Sequence, residues 1–308
     1  MLFHKLIAMK SVYISLFFIV FLLSQSVYAV NSMNKFVSSS EIYNNTSLPV
    51  FHTNLIIDVH KLSPEINSTS CEYPICFSEI NTGLIYFVEY KNSKNAAGTK
   101  DFFFSRYDSI KLLWEKPINI SKEYLKFCEE NKIMKFKELY VTIDNDIYLI
   151  NLKNKEFSLQ KLNINTRYIE SGPCLSHDGN TLYFVSDRKG SFGGRDIYAS
   201  ERLSDGKWSE PYNLGKEVNT NDDEESPFIM LDGVTLCYSS KGHNSYGGYD
   251  IYTSTQDAEG MWSKPENLGA PVNSTSDDYY YITDPFGERA YYSSDKLEKG
   301  NQDIFYVY

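Results

Sequence analysis

The sequence predicts an all-β chain folded as a β-propeller of four-stranded antiparallel blades. Three observations carry this. One blade-sized unit recurs every 54 residues along the C-terminal half. Each unit holds four short strand-like runs divided by turn residues. The chain is rich in Tyr (25) and Phe (19), which fit a pleated, half-buried surface. A fixed period of this length marks a repeat architecture, and four short strands per period mark a propeller blade.

The chain opens on what reads as an export leader. His4, Lys5 and Lys10 form a basic start, Val12 to Leu23 an apolar run, and Val27-Tyr28-Ala29 a small-residue cleavage site. The apolar run is shorter than the roughly 20 residues that a spanning helix needs, so no transmembrane span is expected after cleavage. An uncleaved anchor is the alternative, and a start at Met9 would give a tidier leader. Residues 30–50 read as a flexible segment and residues 51–308 as one propeller domain. The expected location is exported: periplasmic, outer-membrane associated or extracellular.

The first blade copy covers Glu72 to Asn119, with Pro74, Leu84-Ile85-Tyr86-Phe87, Asp101 and Trp114-Glu115-Lys116-Pro117. A degenerate copy follows, reduced to Glu138-Leu139-Tyr140-Val141 and Asp146-Ile147-Tyr148. The third and fourth copies align without a gap. Asp196-Ile197-Tyr198 matches Asp250-Ile251-Tyr252, Trp208-Ser209 matches Trp262-Ser263, and Val218-Asn219 matches Val272-Asn273. In the third copy the strand-like runs are Pro173–Ser176, Thr181–Ser186, Asp196–Arg202 and Trp208–Leu214. Asp178-Gly179 and Asp232-Gly233 suit hairpin turns that need positive φ. The fifth copy keeps Gly287, Tyr291-Tyr292-Ser293-Ser294 and Asp303-Ile304-Phe305, then stops before its Trp-containing quarter.

That missing quarter sits at the other end of the chain. Leu62 to Ser68 matches Leu214 to Thr220 in spacing, and the run Asn54 to Val59 before it supplies an outer strand. The N-terminus is therefore expected to complete the last blade and close the ring, pairing edges that would otherwise stay open. The count is five blades, or six if the degenerate copy is two.

These residues resemble the TolB-type, WD40-like propeller repeat. Its pattern runs through a Pro, Ser-x-Asp-Gly, an aromatic strand ending in Ser, Gly-Gly-x-Asp-Ile-Tyr, and Trp-Ser-x-Pro-x-Asn-Leu-Gly. The resemblance covers nearly all of residues 54–308 and implies a scaffold of the bacterial cell envelope. The peptidoglycan-binding or helical modules that often accompany the repeat have no counterpart in this sequence.

Charge narrows the partners. The net charge is −10, and the leader holds only Lys5 and Lys10, so the remainder stands at −12. Such a field repels nucleic acid, and no basic stripe offsets it. The five cysteines are odd in number and fit no zinc spacing. Buried free thiols are the expected reading, with a Cys71–Cys76 bridge as the alternative.

Most conspicuous residues read as architecture. Asp196, Asp250 and Asp303 each open a third strand and are expected to hold the preceding loop's N–H groups. Trp114, Trp208 and Trp262 recur in register and are expected between blades. Carboxylates near the entrance of the innermost strand stand out: Glu72, Glu170, Glu224, Glu225 and Asp278. They are weighed as a channel-mouth site for a calcium ion or a basic peptide segment, against solvated loop acids. Phe192, Tyr246 and Tyr249 are candidate binding-face aromatics. No nucleophile, zincin or phosphate-loop motif is present, so no catalytic residue, metal ligand or cofactor is assigned.

Three functions compete. The first is a non-catalytic scaffold that binds another envelope protein. The second is a glycoside hydrolase, whose sign would be a deep central pocket holding two acids and an aromatic platform. The third is a lectin, whose sign would be repeated pockets between blades.

Overall fold

The computed structural model describes residues 58–77, 83–90, 99–108, 111, 113–120, 138–153, 156–284 and 287–307. The expected leader, the segment 30–50, the run before Asp58 and Cys128 lie outside these residues. The described chain is all β, in five antiparallel sheets that form a five-bladed propeller. No helix among the described residues is long and apolar enough to cross a membrane.

Blade I comprises β2 (Cys71–Phe77), β3 (Gly83–Tyr90), β4 (Thr99–Asp108), β5 (Leu113–Trp114) and β6 (Ile118–Asn119). Blade II has three strands among the described residues: β7 (Glu138–Ile143), β8 (Asp146–Lys153) and β9 (Glu156–Lys161). Blade III is β10 (Glu170–Leu175), β11 (Thr181–Ser186), β12 (Asp196–Glu201) and β13 (Tyr212–Asn213). Blade IV is β14 (Glu224–Ile229), β15 (Thr235–Ser240), β16 (Asp250–Thr255) and β17 (Glu266–Asn267). Blade V is β18 (Asp278–Thr283), β19 (Ala290–Ser294) and β20 (Asp303–Val307), finished by β1 (Val59–Lys61).

Ring closure by an N-terminal strand follows the sequence expectation, although the strand is Val59–Lys61 and, of the expected run Asn54 to Val59, residues 54–57 lie outside the described residues. Strand β1 pairs antiparallel with β20, Val59 opposite Val307 and Lys61 opposite Phe305. The Leu62 amide donates to the Ile304 carbonyl at 2.9 Å, and Lys61 pairs with Asp303 at 2.6 Å. A segment far N-terminal to blade V is thus turned into its outer strand, and β20 is paired on both sides.

In four described linkers an asparagine ties the linker back to the third strand of the blade before it. Asn219 Oδ1 accepts the Ile197 amide at 2.7 Å, and its Nδ2 donates to the Ile197 carbonyl at 2.9 Å. Asn273 does the same to Ile251, Asn165 to Ile147, and Asn67 to Ile304. Asn165 acting on Ile147 places β8 as a third strand, so blade II is one blade. Its inner-strand position lies outside the described residues.

The tryptophans sit between blades as expected. Trp208 meets Tyr140 of blade II edge-on at 5.8 Å, Trp262 meets Tyr183 of blade III at 6.3 Å, and Trp114 meets Tyr291 of blade V at 6.0 Å. Edge-to-face contact at these separations suits rings that are buried between neighbouring sheets. The strand-opening aspartates hold their loops. Asp196 accepts the Phe192 and Gly193 amides and Asn213 Nδ2, while Asp250 accepts the Tyr246 amide and Asn267 Nδ2. Asp303 departs from the pattern by pairing with Lys61. The turn glycines Gly179 and Gly233 adopt φ of 76° and 74°. Cys71, Cys174 and Cys237 are free thiols, and the side chain of Cys76 lies outside the described residues.

Candidate functional site

The acids expected at the channel mouth divide into two groups. Glu72, Glu170, Glu224 and Asp278 are wholly buried, so they are neither solvated loop acids nor open to a channel ligand. Each staples its strand to the linker four residues earlier. Glu170 accepts the Thr166 amide and hydroxyl at 2.7 and 2.8 Å, Glu224 those of Thr220 at 2.9 and 2.7 Å, and Asp278 those of Ser274 at 2.8 and 3.0 Å. Glu72 accepts the Ser68 hydroxyl at 2.5 Å. Sequence reasoning placed the repeated acids correctly and misjudged their exposure. The missed signal was the Ser or Thr four residues before each one, which offers a matched donor.

Burial sets the titration of these groups. It pushes Glu72 and Glu224 up to about 7 and Asp278 up to about 6, against the pull of their Ser and Thr donors. Among the described residues no group of three or more His, Cys, Asp or Glu is placed to hold a metal ion. The calcium reading therefore finds no ligand set there.

Glu225 behaves differently. It lines an axial pocket of about 170 Å³ with Tyr73, Phe87, Glu89, Arg195, Ser226, Tyr249, Tyr279 and Tyr280. Three inner strands, β2, β14 and β18, supply most of this lining. Arg195, at the end of the β11–β12 loop, forms an ion pair with Glu225. Burial raises the Glu225 carboxyl, and the guanidinium opposes that rise. Asp223 fixes the rim by accepting the Arg195 amide at 3.1 Å, the Tyr249 hydroxyl at 3.3 Å and Lys241 at 3.0 Å. Lys241 holds the Asp223 carboxyl below its usual range, although burial works the other way.

The aromatic wall is continuous. Tyr73 stacks on Phe87 at 4.7 Å and meets Tyr280 at 5.2 Å, while Tyr249 and Tyr279 lie 4.6 Å apart. Burial raises the phenols of Tyr73, Tyr249, Tyr279 and Tyr280, so they stay neutral hydroxyls at ordinary pH.

Backbone strain is concentrated at this wall. The inner strands of blades III, IV and V carry a β-bulge between Ser171 and Cys174, Glu225 and Phe228, and Tyr279 and Ile282. The same repeat position has φ of 58° at Gly172, 54° at Ser226 and 54° at Tyr280. Glycine adopts this conformation freely, whereas an L side chain costs about 1–2 kcal/mol there. Blades IV and V keep a side chain at the strained position, and both side chains line the axial pocket. The bulge re-aims them.

The loop aromatics split. Phe192 and Tyr246 occupy equivalent positions and are 50% and 63% exposed, whereas Tyr249 is buried in the pocket wall. Two further cavities lie between blades. One of about 270 Å³ separates blades II and III near Asp144, Thr166 and Asp187. The other, about 790 Å³, separates blades V and I. Their linings differ, so they are not the repeated pockets that a lectin of the expected kind would show.

No protein-family model matches the sequence, and no curated protein matches it. Among solved structures, the chain is similar to a β-xylosidase at 9% identity over 81% of this chain and 94% of that one, with a TM-score of 0.45. It is similar to an α-L-arabinanase of Penicillium chrysogenum at 12% identity, covering 86% and 98%, with a TM-score of 0.43. An α-L-arabinofuranosidase of Lactobacillus brevis gives 11% identity, 80% and 92% coverage, and a TM-score of 0.42. The chain spans 37% of the length of a puromycin hydrolase and 36% of that of the NanB sialidase of Streptococcus pneumoniae, which it also resembles.

Proposed function

We propose that this chain is a carbohydrate-binding propeller that seats a sugar ring in its axial pocket. The observation that carries the reading is the strained Tyr280, with Ser226, at a position where Gly172 makes the same bulge without cost. Strain held in a pocket wall points to a role for the side chains that bear it. The chemistry suits a sugar. Aromatic faces pack against the C–H surface of a pyranose or furanose, while Glu225, Arg195 and Glu89 read its hydroxyls. The volume, below the range usual for larger ligands, limits the site to about one ring. The export leader read in residues 1–29 would deliver such a site to envelope or extracellular glycans.

A glycan array probed with the chain lacking residues 1–29 tests this. Saturable binding to a defined glycan, reduced about tenfold or more by Glu225→Gln, is the expected result. A folded chain that binds no glycan would overturn the reading. An aryl-glycoside panel run beside it extends the test to hydrolysis. Turnover abolished by Glu225→Gln and, separately, by Glu89→Gln would make Glu225 and Glu89 the acid pair of a glycosidase.

A second reading, a protein-binding scaffold of the cell envelope, is favoured by one observation. Phe192 and Tyr246 stand exposed at the same position of neighbouring blades. Exposed aromatics in register suit an interface. Under this reading, Phe192→Ala with Tyr246→Ala releases an envelope partner recovered by the unaltered chain.

A further inference from the structure

The axial pocket holds one carboxylate that the repeat has released from structural duty. In blades III, IV and V the residue just after the second strand ties back to the residue 18 positions earlier, at the entrance of the inner strand. Asp187 accepts the Ile169 amide at 2.7 Å, Lys241 donates to Asp223 at 3.0 Å, and Asp295 accepts the Asp277 amide at 2.9 Å. Glu89 stands at this position in blade I. There the ladder runs on, with Cys71 opposite Glu89 and β3 reaching Tyr90, so backbone pairing takes over the tie. The Cys71 thiol donates to the Gly300 carbonyl at 3.5 Å instead. The Glu89 carboxylate is left with no hydrogen bond or ion pair among the described residues.

Glu89 is half-buried and lines the pocket. Phe87, two residues earlier on the same face of β3, lines it too. The rings of Tyr73, Phe87 and Tyr280 touch one another, with centroids 4.7, 5.2 and 5.8 Å apart. The neighbouring charges are committed, Arg195 to Glu225 and Lys241 to Asp223. A neutral sugar seated here would strip water from Glu89 and return only hydroxyl donors. An ammonium on the sugar ring returns a charge-assisted donor, roughly twice as strong, and the adjoining aromatic faces favour a cation. A uronic acid would set another carboxylate against Glu89 and Glu225, with Arg195 already paired.

We propose that the axial pocket selects an amino sugar, whose ammonium pairs with Glu89. The inference rests on the sugar reading of the same pocket and narrows it to one class.

Calorimetric titration in mildly acidic buffer, where a sugar amine is protonated, compares glucosamine, N-acetylglucosamine, glucose and glucuronate. The four share a ring and differ in charge. Glucosamine is expected to bind saturably and at least about tenfold more tightly than either neutral sugar, with glucuronate not binding. Equal binding of glucosamine and the neutral sugars would overturn the proposal and leave the sugar reading standing. No binding of any sugar by the folded chain would overturn both. Glu89→Gln should bring glucosamine down to the affinity of glucose, and a preference that survives in the folded variant would overturn the proposal. Lys100 stands opposite Glu89 in the β3–β4 ladder. Lys100→Ala should keep or widen the preference, because removing a neighbouring cation sharpens the pull on an ammonium, and its loss there would overturn the proposal. Nα-acetyl-lysine methylamide, an ammonium without a sugar ring, should bind at least about tenfold more weakly than glucosamine. Binding as tight as that of glucosamine would give the pocket to a basic protein side chain and overturn both readings.

Discussion

At the scale of single residues, the repeat is held by hydrogen-bonding side chains whose partners are backbone groups. Asn219 is the clearest case, because the buried Ile197 amide has it as acceptor. Asn219→Ala leaves that amide unpaired, and a loss of about 1–3 kcal/mol is expected in urea unfolding. The stapling acids add a pH dependence with a definite sign. Glu72, Glu224 and Asp278 have folded-state values raised to about 7, 7 and 6, above their values of 4.5, 4.5 and 3.8 in the absence of burial. The folded state therefore binds protons more tightly than the unfolded one. Stability from these groups is full below about pH 4 and is lost as pH rises towards 7. Asp223 works in the other direction, losing its contribution as pH falls below about 4. Unfolding temperatures measured across pH 4 to 8 should be highest near pH 4 and fall towards pH 8. A monotonic rise over that range would contradict the burial of these acids. The identity of these residues was legible in the sequence, as Val-Asn pairs and repeated acids. Their exposure was not, because it depends on a donor that the linker brings in from the previous blade.

At the scale of elements, the strand starts Thr181 and Asp196 were read correctly, since hairpin turns and the Asp-Ile-Tyr signature bracket them. The outer strand was read too long. The run Trp208–Leu214 shrinks to Tyr212–Asn213, with Trp208 making only an isolated bridge to Arg202. Pro211 explains the gap, since it has no N–H to donate to a ladder. The inner strands hid their bulges, because a positive φ at Ser226 or Tyr280 leaves no mark in a sequence of side chains that ordinarily avoid it. Two substitutions, one at the bulge and one in the β11–β12 loop, test the backbone geometry. Ser226→Gly should raise stability by about 1 kcal/mol, because glycine takes the αL conformation without strain. Gly193→Ala should do the reverse, since a Cβ there would run into the Asp222 backbone. Cooperative unfolding of both, with shifts of opposite sign, is the expected outcome.

At the scale of the whole molecule, closure makes the ends of the chain interdependent. Strand β1 reaches β20 across nearly the full length of the described chain, and Asn67 repeats on Ile304 the clip that Asn219 places on Ile197. The sequence carried this plainly, because the truncated fifth copy and the Leu62–Ser68 spacing are halves of one unit. A chain lacking residues 30–68 should not unfold cooperatively in a urea titration, since blade V would lose its outer strand and its linker. The axial pocket was harder to foresee. It gathers Glu225, Arg195 and Tyr280 from three blades, and only the closed ring brings them together.

The most direct test of the functional account uses that ring. A glycan selected on the array is titrated into the unaltered chain and into Tyr280→Gly, with thermal unfolding recorded for both. A cooperatively folded variant whose affinity falls about tenfold or more is expected. A folded Tyr280→Gly chain that binds the glycan as tightly as the unaltered one would contradict it.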